Sequence, residues 1–249
     1  MGTLPAWECL TTLTRVTVPH EHDHMPPHHH RDLGGGGARA AVFGLSDGLV
    51  TNVSLVLGIA GASPGGSFVR LAGIAGLVAG SFSMAAGEYV SMTAQRELME
   101  RELEVERRAL ERHPKGEAAE LRGMYVGRGI DPVVADDMVN EVMQDPDLAL
   151  ETHAREELGI SVGRLGSPWQ AAAASFITFA LGAFIPLVPW LVGSGTAAIV
   201  ASVVLGAVAS LAVGAVLARF TERSTVVSAL RQLLVTVVAA GVTYGVGRA

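Results

Sequence analysis

One uninterrupted stretch, from Gly80 to Glu106, begins with the composition of a membrane helix and ends with that of a water-exposed helix. It contains no proline and only one internal glycine, so it has few residues that stop a helix. From Glu88 to Glu106 such a helix extends about 27 Å, at about 1.5 Å per residue. We therefore expect one helix that starts in lipid and continues into water.

One face of this helix carries a series of possible ligands. Met84 and Glu88 are four residues apart, and steps of seven, seven and four lead on to Gln95, Glu102 and Glu106. A lone methionine is typical of core packing, and a lone glutamate here is typical of the headgroup level. Together on one face, the thioether and the carboxylates indicate a route for a metal cation.

The composition favours a small membrane protein. Of the 249 residues, 49% are hydrophobic and 17% are charged, and the mean hydropathy is +0.39. Residues 93–167 hold 17 of the 24 acidic and 10 of the 18 basic residues, which gives this segment a net charge of −7. An acidic block attracts cations, so we expect divalent metal ions as partners and no nucleic acid.

Five apolar segments are long enough to cross the hydrocarbon layer of about 30 Å. They cover approximately residues 40–62, 68–92, 169–192, 196–220 and 225–247. The predicted fold is all-α, a polytopic membrane protein in the lipid bilayer with five transmembrane helices and a cytoplasmic helical insert between spans two and three. Pro186 and Pro189 predict a bend or a break in the third span.

The chain divides into four predicted parts. Residues 1–37 form a disordered histidine-rich cytoplasmic tail, and residues 38–92 form spans 1 and 2. Residues 93–167 form an acidic helical metal-binding domain in the cytoplasm, and residues 168–249 form spans 3 to 5. Pro and Gly divide the third part into four helices, which end near residues 112, 128, 144 and 158. The six histidines between His20 and His30 fit either a solvated low-complexity tail or a weak metal-collecting segment.

The first span contains an aspartate. Asp47 is followed at helical spacing by Thr51, Ser54 and Gly58, so one side of this helix is polar or small. An ionisable residue within the bilayer is costly and usually faces protein or water. Local pairing near the end of the span is the alternative, but the continuing polar side favours a functional role for Asp47.

Basic residues indicate the orientation. Sixteen of the 18 lie in the tail, in the insert or around the loop at Arg223, whereas Arg70 and Arg248 lie on the other side. Positive charge concentrates on the cytoplasmic side, so we expect the N-terminus and the insert in the cytoplasm. The composition favours a bacterial inner membrane.

Two segments resemble the most recognisable sequences of the vacuolar iron transporter family, FGLSDGLVTNVSLVLGIAGA at residues 43–62 and SMAAGEYVSM at residues 83–92. Their order, the five spans and the insert match as well, from about Arg31 to the C-terminus. The resemblance implies a homodimer that exports ferrous iron, and often manganese, from the cytoplasm in exchange for protons. It implies no enzymatic activity and no prosthetic group, and zinc is a further candidate cargo.

The resemblance also implies roles for individual residues. Asp47 and Met84 match intramembrane path residues, and Glu88 matches the carboxylate at the cytoplasmic mouth of the path. The acids of the family's cytoplasmic metal-binding domain are matched by Glu106, Glu117, Glu120 and Glu157.

Two positions in the insert depart from the family pattern. Ala109 stands where a second glutamate is expected, and His153 stands where a methionine is expected. Imidazole can coordinate a metal ion and a methyl group cannot. Glu102, on the same face as Glu106, is a candidate replacement ligand, so the number of bound metals and the metal preference stay open.

Two other functions are alternatives to transport. A di-iron carboxylate oxidase needs two Glu-x-x-His motifs on core helices, and the only such motif runs from Glu21 to His24 in the tail. A membrane-anchored metal sensor or buffer remains an alternative, although polar residues in the first two spans favour transport. Because one copy of each path residue is too few to coordinate an ion, we expect a dimer with the first spans facing each other.

Overall fold

The computed structural model describes residues 36–62, 65–161 and 166–249. Residues 1–35, most of the predicted histidine-rich tail, lie outside this range, and the last two residues of that tail are helical. The described residues form eight α-helices and no strand. They are α1 (Gly36–Gly61), α2 (Gly66–Arg112), α3 (Pro114–Gly127), α4 (Pro132–Val142), α5 (Pro146–Glu156), α6 (Pro168–Val192), α7 (Gly195–Thr221) and α8 (Thr225–Arg248).

Within the described residues, α1, α2, α6, α7 and α8 are long and apolar enough to cross a membrane. The predicted all-α fold with five candidate spans is therefore confirmed. Helix α1 contacts the other four spans and lies at the centre of the packing. Its core side chains pack with residues of α6, α7 and α8 around Leu49, Val56, Leu187 and Trp190.

Helix α2 is 47 residues long and continuous, as the sequence predicts. At about 1.5 Å per residue it measures about 70 Å, more than twice the hydrocarbon thickness of about 30 Å. Its C-terminal half, which carries Glu106, therefore extends beyond the bilayer into the insert. The helix ends at His113, where Pro114 begins α3.

The short helices of the insert begin where the Asp-Pro pairs predict. Asp131 accepts hydrogen bonds from the backbone N–H groups of Val133 and Val134, and Asp145 caps α5 in the same way. The proline that follows each aspartate has no N–H to leave unpaired in the first turn. Gly129 separates α3 from α4 with a positive φ of 90°.

Of the bend or break predicted in the third span, the break does not occur. Helix α6 continues through Pro186 and Pro189 to Val192, and both prolines are buried. Prolines are tolerated inside a membrane helix that packs against neighbouring helices. One neighbour is α7, whose Ser202 hydroxyl donates to the carbonyl of Pro186 at 2.8 Å.

Glycines allow α1 and α6 to approach closely beside Asp47. A Cβ on Gly48 would overlap the backbone carbonyl of Phe179, and a Cβ on Gly182 would overlap the carbonyl of Leu45. Backbone atoms of a packed helix cannot move aside without shifting the whole helix. The position of Asp47 in the bundle is therefore set by backbone-to-backbone contact.

Replacing Gly48 should destabilise the protein. We expect Gly48→Ala to lower the midpoint of thermal unfolding in detergent, with a loss of about 1–3 kcal/mol, because overpacking strains both helices. The matched control is Gly245→Ala on α8, where an added Cβ meets nothing within 4 Å. Equal midpoints for the two variants would show that α1 and α6 are not in such close contact.

Candidate functional site

Three nitrogen and oxygen donors converge in the insert. Glu106 on α2, His153 on α5 and Glu157 directly after α5 each offer one ligand atom, and these atoms lie within 4.8 Å of one another. Nδ1 of His153 lies 3.2 Å from Oε1 of Glu106 and 3.9 Å from Oε2 of Glu117 on α3. We call Glu106, Glu117, His153 and Glu157 the insert cluster.

Local structure explains why these side chains meet. Helix α2 carries Glu106 out of the membrane, and both α3 and α5 pack against it. Pro114 starts α3, which places Glu117 in its first turn. His153 lies on α5 and Glu157 caps its end four residues later, so both point to one side. Three helix segments thereby aim their donors at one point.

Two members of the insert cluster, Glu106 and His153, are buried and have donor atoms without a hydrogen-bond partner among the described residues. His153 is fully buried and Glu106 is 7% exposed. Oε1 of Glu106 and both ring nitrogens of His153 make no hydrogen bond to the described residues, since the 3.2 Å contact between them lacks hydrogen-bond geometry. Each unpaired buried polar group costs about 1–3 kcal/mol. A divalent transition-metal ion fits these imidazole and carboxylate donors and would compensate for their burial.

The protonation of the insert cluster responds to pH near neutrality. Burial, together with the nearby charges of Glu157, Glu117 and Glu120, raises the pKa of Glu106 to about 7. Burial and then the charges of Glu120 and Glu117 raise the pKa of Glu157. Burial lowers the pKa of His153, although Glu117 and Glu120 oppose this shift. A neutral imidazole is the form that binds metal ions, and the glutamates can exchange a proton for a metal ion.

Two predicted ligands of the insert lie outside the insert cluster. Glu120 is exposed on α3 and acts on Glu106 and Glu157 through its charge. Glu102 is half-buried one turn before Glu106, and it is not among the donors that meet within 4.8 Å in the described part of the chain. Its predicted role as a replacement ligand has no support from the geometry.

The predicted membrane ligands lie on α1 and α2, which contact each other. Oδ1 of Asp47 accepts a hydrogen bond from the Thr51 hydroxyl at 3.3 Å, one turn along α1. Met84 is half-buried on α2. Glu88 forms an ion pair with Arg39, whose Nη2 lies 3.0 Å from Oε1 of the glutamate. Asp47 therefore does pair locally, which is compatible with a role in a path as well.

Sequence reasoning missed two partners in the membrane region. It treated Arg39 only as an orientation signal, and nothing in the sequence indicates that it contacts a residue 49 positions away. It also passed over Asn52, which is 1% exposed and whose Nδ2 donates to the carbonyl of Ala183 at 2.6 Å. An asparagine within an apolar span was a usable signal, because a polar group in lipid requires a partner.

The raised pKa of Glu106 predicts how stability depends on pH. The folded protein binds this proton more tightly than the unfolded chain does, so metal-free protein should lose stability as pH rises from about 4.5 to about 7. We expect the thermal midpoint in chelator to fall between about pH 5 and about pH 8, and to fall less in Glu106→Gln. Glu111→Gln, an exposed change on the same helix, should behave as wild type. An identical fall in all three proteins would contradict the burial argument.

Comparison with known proteins identifies the family. The sequence profile described as the VIT family matches residues 38–248. A vacuolar iron transporter of Acanthamoeba castellanii is 36% identical over 228 residues, which cover 88% of this chain and 81% of that protein. Vacuolar iron transporter 1 of Eucalyptus grandis is 32% identical over 212 residues, 85% of each chain. Vacuolar iron transporter 1 of Oryza sativa subsp. japonica is 29% identical over 241 residues, 96% of this chain and 95% of that protein. This chain therefore belongs to the VIT family.

Proposed function

We propose that this protein carries Fe²⁺ out of the cytoplasm across a membrane in exchange for protons, with Mn²⁺ as a second cargo. Membership of the VIT family and relatives named vacuolar iron transporters support metal-ion transport. The observation that carries the proposal is the insert cluster, in which the buried donors of Glu106 and His153 have no hydrogen-bond partner among the described residues. Helix α2 connects this cluster without interruption to Glu88 in the membrane region.

The insert cluster would collect the cargo. Imidazole nitrogen and carboxylate oxygen suit Fe²⁺, Mn²⁺ and Zn²⁺. The donors that would hold the ion are those of Glu106, His153 and Glu157, with Glu117 next to the histidine. Because the pKa of Glu106 lies at about 7, a metal ion must displace a proton there at neutral pH, which weakens binding and aids release.

The path from the insert cluster into the membrane would follow α2. Glu88 lies 18 residues before Glu106 on this helix, a distance of about 27 Å. Met84 follows one turn deeper, and its thioether favours a transition metal over Mg²⁺ or Ca²⁺. Asp47 on α1 would take either a metal ion or a proton, and this exclusive choice is a physical basis for antiport.

A second copy of the chain would complete the path. Phe43 and Thr51 are exposed on α1, and the half-buried Asp47 lies between them on the same side. A carboxylate that faces acyl chains is costly, so this side of α1 requires protein or water against it. Two α1 helices facing each other across a two-fold axis would meet that requirement and double the ligands. We propose this homodimer in a bacterial inner membrane, with the N-terminus and the insert in the cytoplasm.

Fe²⁺ flux into proteoliposomes tests the transport function. We expect Asp47→Asn and Met84→Ala each to lower the initial rate of Fe²⁺ uptake at least about tenfold. Each variant removes a ligand that would stabilise the ion in the apolar part of the path, where the free-energy barrier to transport is highest. Ser83→Ala, an exposed change beside Met84, is the control and should transport normally. Wild-type rates in both path variants would refute the path.

A pH-sensitive dye inside the same vesicles tests the coupling. We expect the internal pH to change during Fe²⁺ uptake in the direction of proton exit. Flux with no pH change would reject antiport and leave transport standing. Tight Fe²⁺ binding by the wild type with no flux at all would instead favour the sensor or buffer.

Metal binding to the purified dimer tests the insert cluster. We expect His153→Ala to weaken Mn²⁺ binding at least about tenfold in anaerobic equilibrium dialysis, since the site loses its only nitrogen donor. His153→Met should lose less affinity for Fe²⁺ than for Mn²⁺, because a thioether is a softer ligand than an imidazole. Glu111→Gln serves as the exposed control. Unchanged affinity in His153→Ala would exclude the cluster as a binding site.

A further inference from the structure

An arginine holds the carboxylate at the proposed mouth of the path. Arg39 lies in the first turns of α1, and its Nη2 is 3.0 Å from Oε1 of Glu88 on α2. The contact joins two candidate spans between residues 49 positions apart. The transport path described above gives Arg39 no role, although its guanidinium occupies the carboxylate that a metal ion would use.

The two partners differ strongly in exposure. The side chain of Arg39 is 71% exposed, whereas that of Glu88 is only 13% exposed. An exposed guanidinium loses little when it swings back into water, because exposed ion pairs are weak and are screened by salt. A carboxylate withdrawn from water requires a positive partner. The arginine can therefore leave, and another cation must then replace it.

We propose that Arg39 is a placeholder cation, which neutralises Glu88 until a divalent metal ion displaces it. This inference rests on the proposed transport function. Replacement of the guanidinium by a monovalent cation brings no gain in charge, whereas a divalent cation brings one additional positive charge to the carboxylate. Arg39 thereby raises the metal concentration needed for entry into the path, and it favours divalent over monovalent ions.

A purely structural role for this ion pair makes different predictions. If Arg39 only fastens α1 to α2, its loss lowers the thermal midpoint and the maximal rate, and it leaves the half-saturating metal concentration unchanged. Close contacts at Gly48 and Gly182 already fix α1 against α6. The Arg39–Glu88 ion pair is therefore not the contact that fixes α1 in the bundle.

The test measures Fe²⁺ flux in proteoliposomes together with sodium leak. Arg39→Gln should lower the half-saturating Fe²⁺ concentration about two- to fivefold, which corresponds to about 0.4–1 kcal/mol at about 1.4 kcal/mol per tenfold change. It should also raise sodium leak, and Arg39→Lys should restore both values. In a Glu88→Gln background, loss of Arg39 should have no further effect on the half-saturating concentration.

Controls separate this inference from the transport function. Arg96→Gln removes another exposed arginine–glutamate pair, the 2.7 Å contact with Glu100, and should change neither value. Arg39→Met keeps the aliphatic stem and serves as a second neutral variant. If the wild type carries Fe²⁺ and both neutral variants leave half-saturation and leak unchanged, the placeholder role is overturned and transport stands. An inactive wild type overturns both.

Discussion

Polar and charged groups removed from water require partners, and this requirement organises the protein from the membrane to the insert. Asp47 has the hydroxyl of Thr51, and Glu88 has the guanidinium of Arg39. Among the described residues, the buried donors of Glu106 and His153 have no hydrogen-bond partner. The part of the molecule best suited to receive a cation is therefore the insert, where imidazole and carboxylate donors converge.

Helix continuity connects these places. Helix α2 is one rigid element from Gly66 to Arg112, so the insert cluster and Glu88 keep a fixed separation along it. Helix α1 is held against α6 by glycine contacts and touches all four other spans. Asp47 and Arg39 therefore sit on the most constrained helix of the bundle, next to the helix that carries Glu88. This arrangement favours exchange of side-chain partners at fixed backbone positions.

Much of the fold followed from local sequence rules. Span lengths, the uninterrupted α2 and the Asp-Pro starts of α4 and α5 depend on hydropathy, missing helix breakers and capping side chains. Of the two alternatives predicted at Pro186 and Pro189, a bend or a break, the break does not occur, because packing between helices outweighs a local rule. Family resemblance indicated the insert acids. The convergence of Glu106 with His153 depends on how three helices pack, which spacing within one helix does not determine.

The Arg39–Glu88 contact marks the limit of prediction from a single sequence. Two residues 49 positions apart meet only because α1 and α2 pack side by side. The sequence alone does not indicate which of its many arginines pairs with Glu88. The burial of His153 could not be predicted from the sequence either, because a histidine four residues before a glutamate is common on exposed helices.

The central claim is that the insert cluster holds the cargo through imidazole and carboxylate donors. X-ray absorption at the iron edge tests this most directly, on the full-length protein loaded anaerobically with one Fe²⁺ per chain. We predict that nitrogen and oxygen atoms surround the iron, with the multiple-scattering signature of one imidazole, which is absent from His153→Ala. A spectrum of fully hydrated iron, or one unchanged by that substitution, would contradict it.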